Sequence, residues 1–330
     1  MSCRRRTLAA AAALAVMLLV LACIAPADAQ PQNWPQRPVR IIAPFAPGGA
    51  ADTLGRIIAE HLSSAFHEQF YIENRSGAGG IVGATAAAAA EPDGYTLLVS
   101  GIGPNVISPV YNPNTGYDGL RDFTHVAYLG GPPTVMLVHP SLGVRTYKDF
   151  VALARGAPQP LSYVSPGPGS HGFLVAQLIA QREGYRITHI PYKGAGPALT
   201  DLIAGHVKLG SITFSSAAQQ IRAGHVIALA VTTEKRIPNF SDVPTFREMG
   251  QDLVAATWFG LSGPAHLPPD IASALNRETL RAMELPEVQK RLALDAIETR
   301  VMSPQEYTAF IEAEIARWAP LARSLAANAN

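Results

Sequence analysis

The sequence predicts an α/β protein with two domains, and three observations support this prediction. The chain has 330 residues, a length that fits two domains better than one. Hydrophobic residues make up 48% of it and charged residues 15%, a composition that supports a large core and is the opposite of a disordered one. After the first thirty residues, short β-branched runs alternate with stretches of helical periodicity, as in α/β folds.

The first unit reads strand, helix, strand, helix, strand. Val39–Ala43 is a β-branched run that stops at Pro44, and apolar residues at positions 54, 57, 58 and 62 then have helical spacing. The next predicted elements are a strand over Phe70–Glu73, a helix over Ala84–Ala90 and a strand over Tyr95–Val99. This order predicts a parallel sheet covered by helices on both faces.

A second unit of the same kind follows. Thr146, with Asp149 three residues later, predicts the start of one of its helices. Its predicted strands are Val135–Val138, Leu161–Val164, Ile187–Ile190 and Ile227–Val231. Its other predicted helices are Gly172–Gln181 and Pro197–Ala204, the second of which ends at Gly205.

The C-terminal third is predicted to be mainly helical. Its last helix has a strong start signal, because Ser303 can cap the helix, Pro304 needs no hydrogen-bond acceptor there, and Glu306 can reach back to the cap. The apolar residues that follow form one stripe, which we expect to pack onto a domain: Tyr307, Phe310, Ile311, Ile315 and Trp318.

Residues 1–29 are predicted to be a cleaved secretory signal peptide rather than a retained membrane anchor. Arginines at positions 4 to 6 precede the apolar stretch Leu8–Cys23, and Ala27-Asp28-Ala29 has the form of a cleavage site. No second apolar run approaches the roughly 18 residues that a membrane-spanning helix needs. The sequence therefore predicts export to the periplasm.

The cysteines fit an oxidising compartment. Cys3 and Cys23 both lie in the leader, so the mature chain has none, which excludes thiol catalysis and cysteine metal sites. Two alternatives for the leader stay open. Val20-Leu21-Ala22 before Cys23 loosely resembles a lipoprotein processing site, and the adjacent arginines resemble a twin-arginine signal.

Charge and histidine spacing narrow the function classes. The chain has 26 basic and 25 acidic residues, and loss of the leader's three arginines and one aspartate leaves 23 and 24. No basic run provides a footprint for a nucleic acid, so none is expected as a partner. The nine histidines show neither His-x-x-x-His nor His-Glu-x-x-His spacing, so we expect no metal and no cofactor.

The turn between the first strand and its helix, residues 44–53, has the chemistry of an anion site. Its paired glycines, Gly48 and Gly49, let backbone N–H groups point into open space at a helix N-terminus, where the helix dipole favours negative charge. The turn contains no Lys or Arg, which favours a carboxylate over a triphosphate. Asp52 fits a structural cap better than a ligand contact.

Two further turns are candidates. Residues 165–172 again follow a strand and open a helix, with hydroxyls from Ser165 and Ser170, and the alternative for either turn alone is an ordinary connection. If the two domains face each other, the two turns form opposing jaws. In the third, Pro191–Gly196, Lys193 either neutralises a ligand acid or is simply solvated, and spacing alone does not decide.

Catalytic readings of the same residues are weak. Ser170, His171 and Asp201 could be imagined as a hydrolase triad, but the sequence has no Gly-x-Ser-x-Gly elbow to present the serine. Ser170 and His171 are also adjacent, and adjacent residues cannot readily make a productive contact between nucleophile and base. Gly77–Gly83 resembles a dinucleotide fingerprint, but it has three residues rather than two before its last glycine and lies in the second strand–helix unit.

Ordered motifs across the mature chain carry a family resemblance. They are Trp34-Pro35, Pro44 to Asp52, Glu73 to Gly80, Asp93 to Leu98, Pro191 to Gly194, Pro197 to Leu202, Asp242 to Thr245 and Trp258 to Gly260. Together they resemble the Bug (TctC-like) family, the extracytoplasmic solute receptors of tripartite tricarboxylate transporters. The resemblance implies a type II periplasmic binding-protein fold, in which two α/β domains form a ligand cleft at their hinge. We expect domain 1 to comprise residues 30–135 and 258–330, and domain 2 residues 136–257.

The resemblance also implies a binding site. One jaw would contain Phe45, Ala46, Pro47, Gly48, Gly49, Ala50 and Asp52, with Gly103 and Asn105 beside it. The other would contain Ser165, Gly167, Gly169, Ser170 and His171. Lys193, Ile212 and Thr213 complete the predicted set.

Two departures from the family pattern shape the expected ligand. Relatives often have His where Phe173 stands, whereas here His171 lies two positions earlier. A segment that commonly carries an acidic residue has Ile212 in its place, which offers no partner for an ammonium group. We therefore expect a carboxylate without an amino group and with an apolar or aromatic part.

Two function classes remain, a transport receptor and a secreted hydrolase-like enzyme acting on a small carboxylate or ester. The receptor is favoured because the glycine turns lack an organised nucleophile, base or metal. The resemblance implies closure of the two domains on the ligand and membrane transporter subunits as partners. We expect a monomer.

Overall fold

The structure is a computed structural model that describes residues 34–328, so the predicted signal peptide and both cysteines lie outside it. Within these residues, ten strands form two sheets. The strands are β1 (Val39–Ala43), β2 (Phe70–Asn74), β3 (Thr96–Gly101), β4 (Phe123–Gly130), β5 (Thr134–Val138), β6 (Leu161–Ser165), β7 (Ile187–Pro191), β8 (Leu209–Thr213), β9 (Ile227–Val231) and β10 (Phe259–Pro264).

The first sheet has the strand order β2-β1-β3-β10-β4. β1 pairs in parallel with β2 and β3, as the alternating pattern predicts, but β10 returns from the far end of the chain and pairs antiparallel with β3 and β4. The helices that precede β4 are α1 (Ala50–Phe66), α2 (Ile81–Ala88) and α3 (Ser108–Tyr111), with a π-helical turn over Ile102–Ile107. We call the structure built on this sheet lobe 1.

The second sheet has the order β7-β6-β8-β5-β9. β6 is parallel to β7 and β8, whereas β5 is antiparallel to β8 and β9. Its helices are α4 (Tyr147–Gly156), α5 (His171–Glu183), α6 (Ala195–Ile203) and α7 (Phe214–Arg222). We call this part lobe 2. The prediction of purely parallel sheets is therefore wrong for one strand in each lobe, because each of these strands enters its sheet from the other lobe.

The chain passes between the lobes twice. It leaves lobe 1 through Gly131-Pro132-Pro133 and returns through residues 232–258, and a bridge between Pro133 and Ala256 pairs the two passages. The N–H of Thr257 donates to the carbonyl of Pro132 at 2.8 Å. The predicted division at residue 135 falls inside β5, so the change of sheet lies slightly earlier in the chain.

Three helices complete lobe 1, namely α8 (Pro269–Glu284), α9 (Pro286–Leu294) and α10 (Pro304–Asn328). The predicted start of α10 is confirmed, because the N–H of Glu306 donates to Ser303 Oγ at 3.2 Å and the N–H of Ser303 donates to Glu306 Oε2 at 2.8 Å. The predicted cap of α4 by Thr146 is confirmed as well, since Thr146 Oγ1 accepts from the N–H of Asp149. Between residues 34 and 328, no helix is both long and apolar enough to cross a membrane.

The apolar stripe of α10 packs as expected. Tyr307, Ile311 and Trp318 are buried in a core cluster that includes residues of both lobes. Tyr307 Oη lies 3.1 Å from Ser100 Oγ of β3, and a Cβ on Gly260 of β10 would fall only 1.9 Å from that hydroxyl. The last helix therefore fixes the centre of the first sheet and, through Trp318, also reaches lobe 2, where its ring contacts that of His171.

Candidate functional site

The first predicted jaw is the start of α1. Gly49 is its N-cap in an extended conformation, and Gly48 before it has a φ of 84°. The first backbone N–H groups of a helix have no partner within the helix. No side chain of residues 34–328 caps α1, so these donors stay available. The turn thus offers neutral donors and the positive end of a helix dipole without any cation, as the sequence predicts.

Asp52, the third residue of α1, is a structural anchor of this turn. Its carboxylate accepts hydrogen bonds from the N–H of Gly48 at 3.3 Å, from Arg56 at 2.9 and 3.1 Å and from Asn74 Nδ2 at 3.0 Å. Burial raises the pKa of Asp52, but the hydrogen bonds from Arg56, Asn74 and Gly48 outweigh it, and the net pKa lies below the usual value. The carboxylate therefore holds the loop in shape, although it is not the N-cap itself.

The second jaw is the start of α5. Gly167 and Gly169 have φ values of 135° and 77°, which turn the chain sharply after β6. Ser170 is the N-cap, and its Oγ accepts from the N–H of Phe173 at 3.2 Å. His171 and Gly172 then form the first helical residues, with their own N–H groups beyond the reach of this cap.

The two jaws meet in one cavity between the lobes, with an empty volume of about 440 Å³ including its mouth. Its walls are formed by Phe45, Gly49, Ala50, Ala51, Gly103, Pro166, Ser170, His171, Gly172, Ala195, Thr213, Thr257 and Phe259. Four helices start at this wall, since Ala195 begins α6 and Thr213 is the N-cap of α7. None of these wall residues is Asp, Glu, Lys or Arg, so the features of the wall that could attract an anion are helix dipoles and neutral donors.

His171 is the one imidazole among these wall residues, and only 1% of it is exposed. Its Nδ1 lies 2.9 Å from Thr134 Oγ1 and 2.8 Å from Thr257 Oγ1. Its Nε2 is buried and has no hydrogen-bond partner among residues 34–328. Burial, assisted by the nearby positive charge of Arg317, lowers the pKa of His171 to about 3, so the imidazole is neutral at physiological pH.

The structure places seven of the predicted site residues in the cavity wall. They are Phe45, Gly49, Ala50, Gly103, Ser170, His171 and Thr213. Ten others lie outside it: Ala46, Pro47, Gly48, Asp52, Asn105, Ser165, Gly167, Gly169, Lys193 and Ile212.

Most of those ten have other partners. The Asn105 side chain accepts from the N–H of Gly101 and donates to the carbonyl of Gly119, each at 3.0 Å. Ser165 Oγ lies 2.8 Å from His189 Nε2. Ile212 is fully buried in the core of lobe 2, so it presents no apolar surface to the cavity. Lys193 is exposed, and its contribution is a backbone carbonyl that accepts from the N–H of Ala46 at 2.8 Å.

Glycines of both lobes form the contact between the lobes. A Cβ built on Gly79 of lobe 1 would lie 1.9 Å from the Pro168 carbonyl oxygen, and one on Gly196 of lobe 2 would lie 2.4 Å from the Pro47 carbonyl oxygen. Ser108 Oγ lies 3.0 Å from the Gly79 carbonyl oxygen and 3.2 Å from that of Gly169, so it bridges the lobes. The lobes are therefore closed on each other, backbone against backbone.

Sequence reasoning missed six wall residues. Four of them lie close to predicted positions, in the turns whose strand–turn–helix pattern the sequence shows: Ala51, Pro166, Gly172 and Ala195. Thr257 and Phe259 lie in the returning passage and the strand after it. The signal in the sequence that points to this region is the family motif Trp258 to Gly260. No local pattern predicts its place in the wall, because the tertiary fold brings it to the cavity.

The residues considered for catalysis and for a dinucleotide site are not arranged for either role. Asp201 is hydrogen-bonded to Tyr192 and lies 3.4 Å from His206, and Ser170 Oγ is occupied in capping, so no triad forms with His171. Gly79, in the dinucleotide-like segment, is covered by the Pro168 backbone, which leaves no space for a pyrophosphate. Within residues 34–328, no group of three or more His, Cys, Asp or Glu side chains could hold a metal ion.

Comparison with known proteins gives consistent matches over nearly the whole chain. A family model described as the tripartite tricarboxylate transporter family receptor matches residues 54–326. The protein BugT of Bordetella pertussis is 32% identical over 318 residues, which cover 96% of this chain and 97% of BugT.

Two solved structures are similar in fold and sequence. Rpa4515 of R. palustris, solved with adipate, has a TM-score of 0.84 and 35% identity and covers 88% of this chain and 97% of its own. MatC (Rpa3494) from Rhodopseudomonas palustris, solved with bound malate, has a TM-score of 0.84 and 30% identity and covers 88% of this chain and all of its own.

Proposed function

Because the chain belongs to the tripartite tricarboxylate transporter receptor family, we propose that it is a periplasmic receptor that binds a small organic carboxylate between its two lobes. Its fold is that of the periplasmic binding proteins. The observation that carries the proposal is the meeting of four helix starts on a single cavity whose wall has no charged side chain. Unpaired N–H groups and helix dipoles that converge on one cavity without charged side chains bind a carboxylate well.

The relatives support a carboxylate as ligand. Rpa4515 was solved with adipate and MatC with malate. In this chain, the cavity wall contributes the rings of Phe45 and Phe259 and the ring of Pro166, so the rest of the ligand is apolar or aromatic. No carboxylate side chain is available in the wall for an ammonium group, so amino acids are poor ligands.

Binding and release follow from motion of the lobes. The two passages at Gly131–Pro133 and residues 232–258 act as the hinge, and the glycine contacts around the cavity form when the lobes close. The ligand favours the closed form because only that form places both jaws around it. We propose that a monomer in the periplasm presents this closed form to the membrane subunits of a transporter.

The test is thermal denaturation of the purified protein with hexanoate, benzoate, adipate, malate or aspartate. Methyl hexanoate and methyl benzoate serve as matched controls without the charge. A ligand at 100 times its dissociation constant stabilises the folded state by about 2.7 kcal/mol, which corresponds to an increase in Tm of several degrees. We expect the monocarboxylates to stabilise the protein, aspartate and the esters to have no effect, and the acids to be recovered unchanged.

Two results would contradict the proposal. If none of the acids raises the Tm, the protein is not a receptor for this class of small carboxylates. If the esters are hydrolysed during incubation, the secreted enzyme is the better interpretation.

A further inference from the structure

One residue of the cavity wall, His171, has a buried polar atom that the described part of the chain leaves without a hydrogen-bond partner. His171 Nε2 lacks a hydrogen-bond partner among residues 34–328, although the residue is 99% buried, at 1% exposure, and lines the cavity. Buried polar atoms are nearly always paired, so an unpaired one on a residue that lines a cavity is a candidate contact for a ligand or a water molecule. Ser170, Thr213 and Thr257 also have polar side chains in this wall, but each already has a partner in the protein.

The partners of Nδ1 determine which nitrogen carries the hydrogen. Nδ1, Thr134 Oγ1 and Thr257 Oγ1 form a triangle with sides of 2.8 to 2.9 Å. If Nδ1 accepts, one hydroxyl donates to it and the other hydroxyl donates to its neighbour, so both are satisfied. If Nδ1 carries the hydrogen, three hydrogens share two hydroxyl oxygens, and one buried hydroxyl has no acceptor, which is unfavourable. The triangle therefore favours the tautomer with hydrogen on Nε2.

We propose that His171 is the specificity-determining residue of this site and presents a fixed, neutral Nε2–H donor to an oxygen of the bound acid. This role rests on the proposed function, because it assumes an acid in the cavity. Thr134 and Thr257 are positioning residues for this donor, since their hydroxyls hold the tautomer. Thr134 follows the first passage between the lobes directly and Thr257 lies in the second, so His171 contacts both connections.

The surroundings keep the imidazole neutral. Trp318 packs edge-on against the ring at 5.2 Å between centroids, and Arg317 and Glu314 lie on the same helix, α10. β5 and the first turn of α5 bring no charged side chain, and His189, behind Phe173, has a pKa lowered to about 4 by burial. A neutral donor binds a carboxylate without taking up a proton, so the affinity should not change between pH 5.5 and 8.

The experiment compares four variants by isothermal titration with hexanoate and benzoate. His171→Leu removes the donor, and we expect roughly 10- to 100-fold weaker binding, as for the loss of a hydrogen bond to a charged group. His171→Gln keeps an amide N–H and should recover most of the affinity. Thr134→Val/Thr257→Val releases the tautomer and should weaken binding by an intermediate factor. His125→Leu is the matched control, because His125 also has a buried, unpaired Nε2 but lies outside the cavity wall.

Two further measurements keep the proposal falsifiable if a variant fails to fold. The imidazole ¹⁵N shifts of the wild-type protein should show hydrogen on Nε2, and titrations in buffers of different ionisation enthalpy should show no proton uptake. Hydrogen on Nδ1, uptake of one proton, or unchanged affinity of His171→Leu would each overturn this role and leave the proposed function standing. Failure of the wild-type protein to bind either acid would refute both.

Discussion

At the scale of single residues, Asp52 shows how one carboxylate can hold the turn before a helix in shape without being the N-cap of that helix. Its oxygens are shared by Gly48, Arg56 and Asn74, which lie before, within and after α1. The side chain of Asp52 is mostly buried. Loss of its carboxylate would therefore leave the three partners without hydrogen bonds that water replaces poorly. The loop that presents the start of α1 thus depends on this one anion.

We expect Asp52→Asn to lower the free energy of unfolding by about 1–2 kcal/mol at pH 7. The folded-state pKa of Asp52 lies below its unfolded value, so its stabilising effect is complete above about pH 4 and is lost as the pH falls through the folded-state pKa. Urea denaturation from pH 7 down to pH 3 measures this, and the difference between variant and wild type should shrink on acidification.

The control is Glu234→Gln, which breaks an ion pair with Arg247 in which both side chains are more than half exposed. Exposed pairs contribute little, so this variant should stay within about 0.5 kcal/mol of wild type. A gap between Asp52→Asn and wild type that is absent at pH 7, or that widens towards pH 3, would contradict this assignment.

At the scale of elements, α10 illustrates a helix whose start is written into the local sequence. Ser303 and Glu306 satisfy each other's backbone N–H groups, and the apolar stripe then packs against β4 and the π-helical turn at Ile102–Ile107. The capping residues predict where α10 begins, and the apolar stripe predicts which face is buried. Both features therefore follow from the local sequence.

Ser303→Ala removes the cap and should lower the free energy of unfolding by about 1 kcal/mol. Thermal denaturation should show a decrease in Tm of about 2–4 °C. Ser303→Asn, which retains a side-chain acceptor suited to an N-cap, should restore most of the loss. Equal Tm values for wild type and Ser303→Ala would show that the cap does not stabilise α10.

The strands β8 and β10 show the opposite case. Both strands contain glycine and serine, and β10 also ends at a proline, which are weak strand signals, and neither strand was predicted. Both are fully buried and lie inside their sheets, between two neighbouring strands. Pairing on both sides, together with burial, overrides their local propensity.

At the scale of the whole molecule, closure depends on glycines at which the two lobes touch. Gly196 is the second residue of α6 and does not have a left-handed backbone, so alanine fits the helix itself. Its Cβ would nevertheless lie 2.4 Å from the Pro47 carbonyl oxygen of the other lobe. The contact seen here has no space for this methyl group, and we expect separation of the lobes to relieve the overlap.

We therefore expect Gly196→Ala to fold with at least wild-type stability but to bind hexanoate and benzoate at least 10-fold more weakly, because the binding-competent form is depleted. Small-angle scattering should show that ligand reduces the radius of gyration of wild type and not of the variant.

Gly156→Ala is the matched control, since its Cβ would contact nothing within 4 Å and the residue ends a helix of the same lobe. This variant should close and bind as wild type does. Normal closure of Gly196→Ala would show that the contact between α6 and the Pro47 turn is not part of the closed form.

The sequence by itself determined seven of the ten strands that the structure describes, the caps of α4 and α10, and the two glycine turns that start α1 and α5. Each of these depends on interactions within a few residues of chain, such as a hydroxyl and the N–H three positions later or a glycine at a positive φ. The family motifs extended this to the fold and to both jaws.

Only the tertiary structure decided the antiparallel insertion of β5 and β10, the burial of Ile212, and the triangle that joins His171 to Thr134 and Thr257. The members of that triangle are 37 to 123 residues apart in sequence. No local pattern encodes such a contact, because it forms when the two passages between the lobes pack side by side. The role that we propose for His171 depends on this contact, and therefore on packing between distant segments.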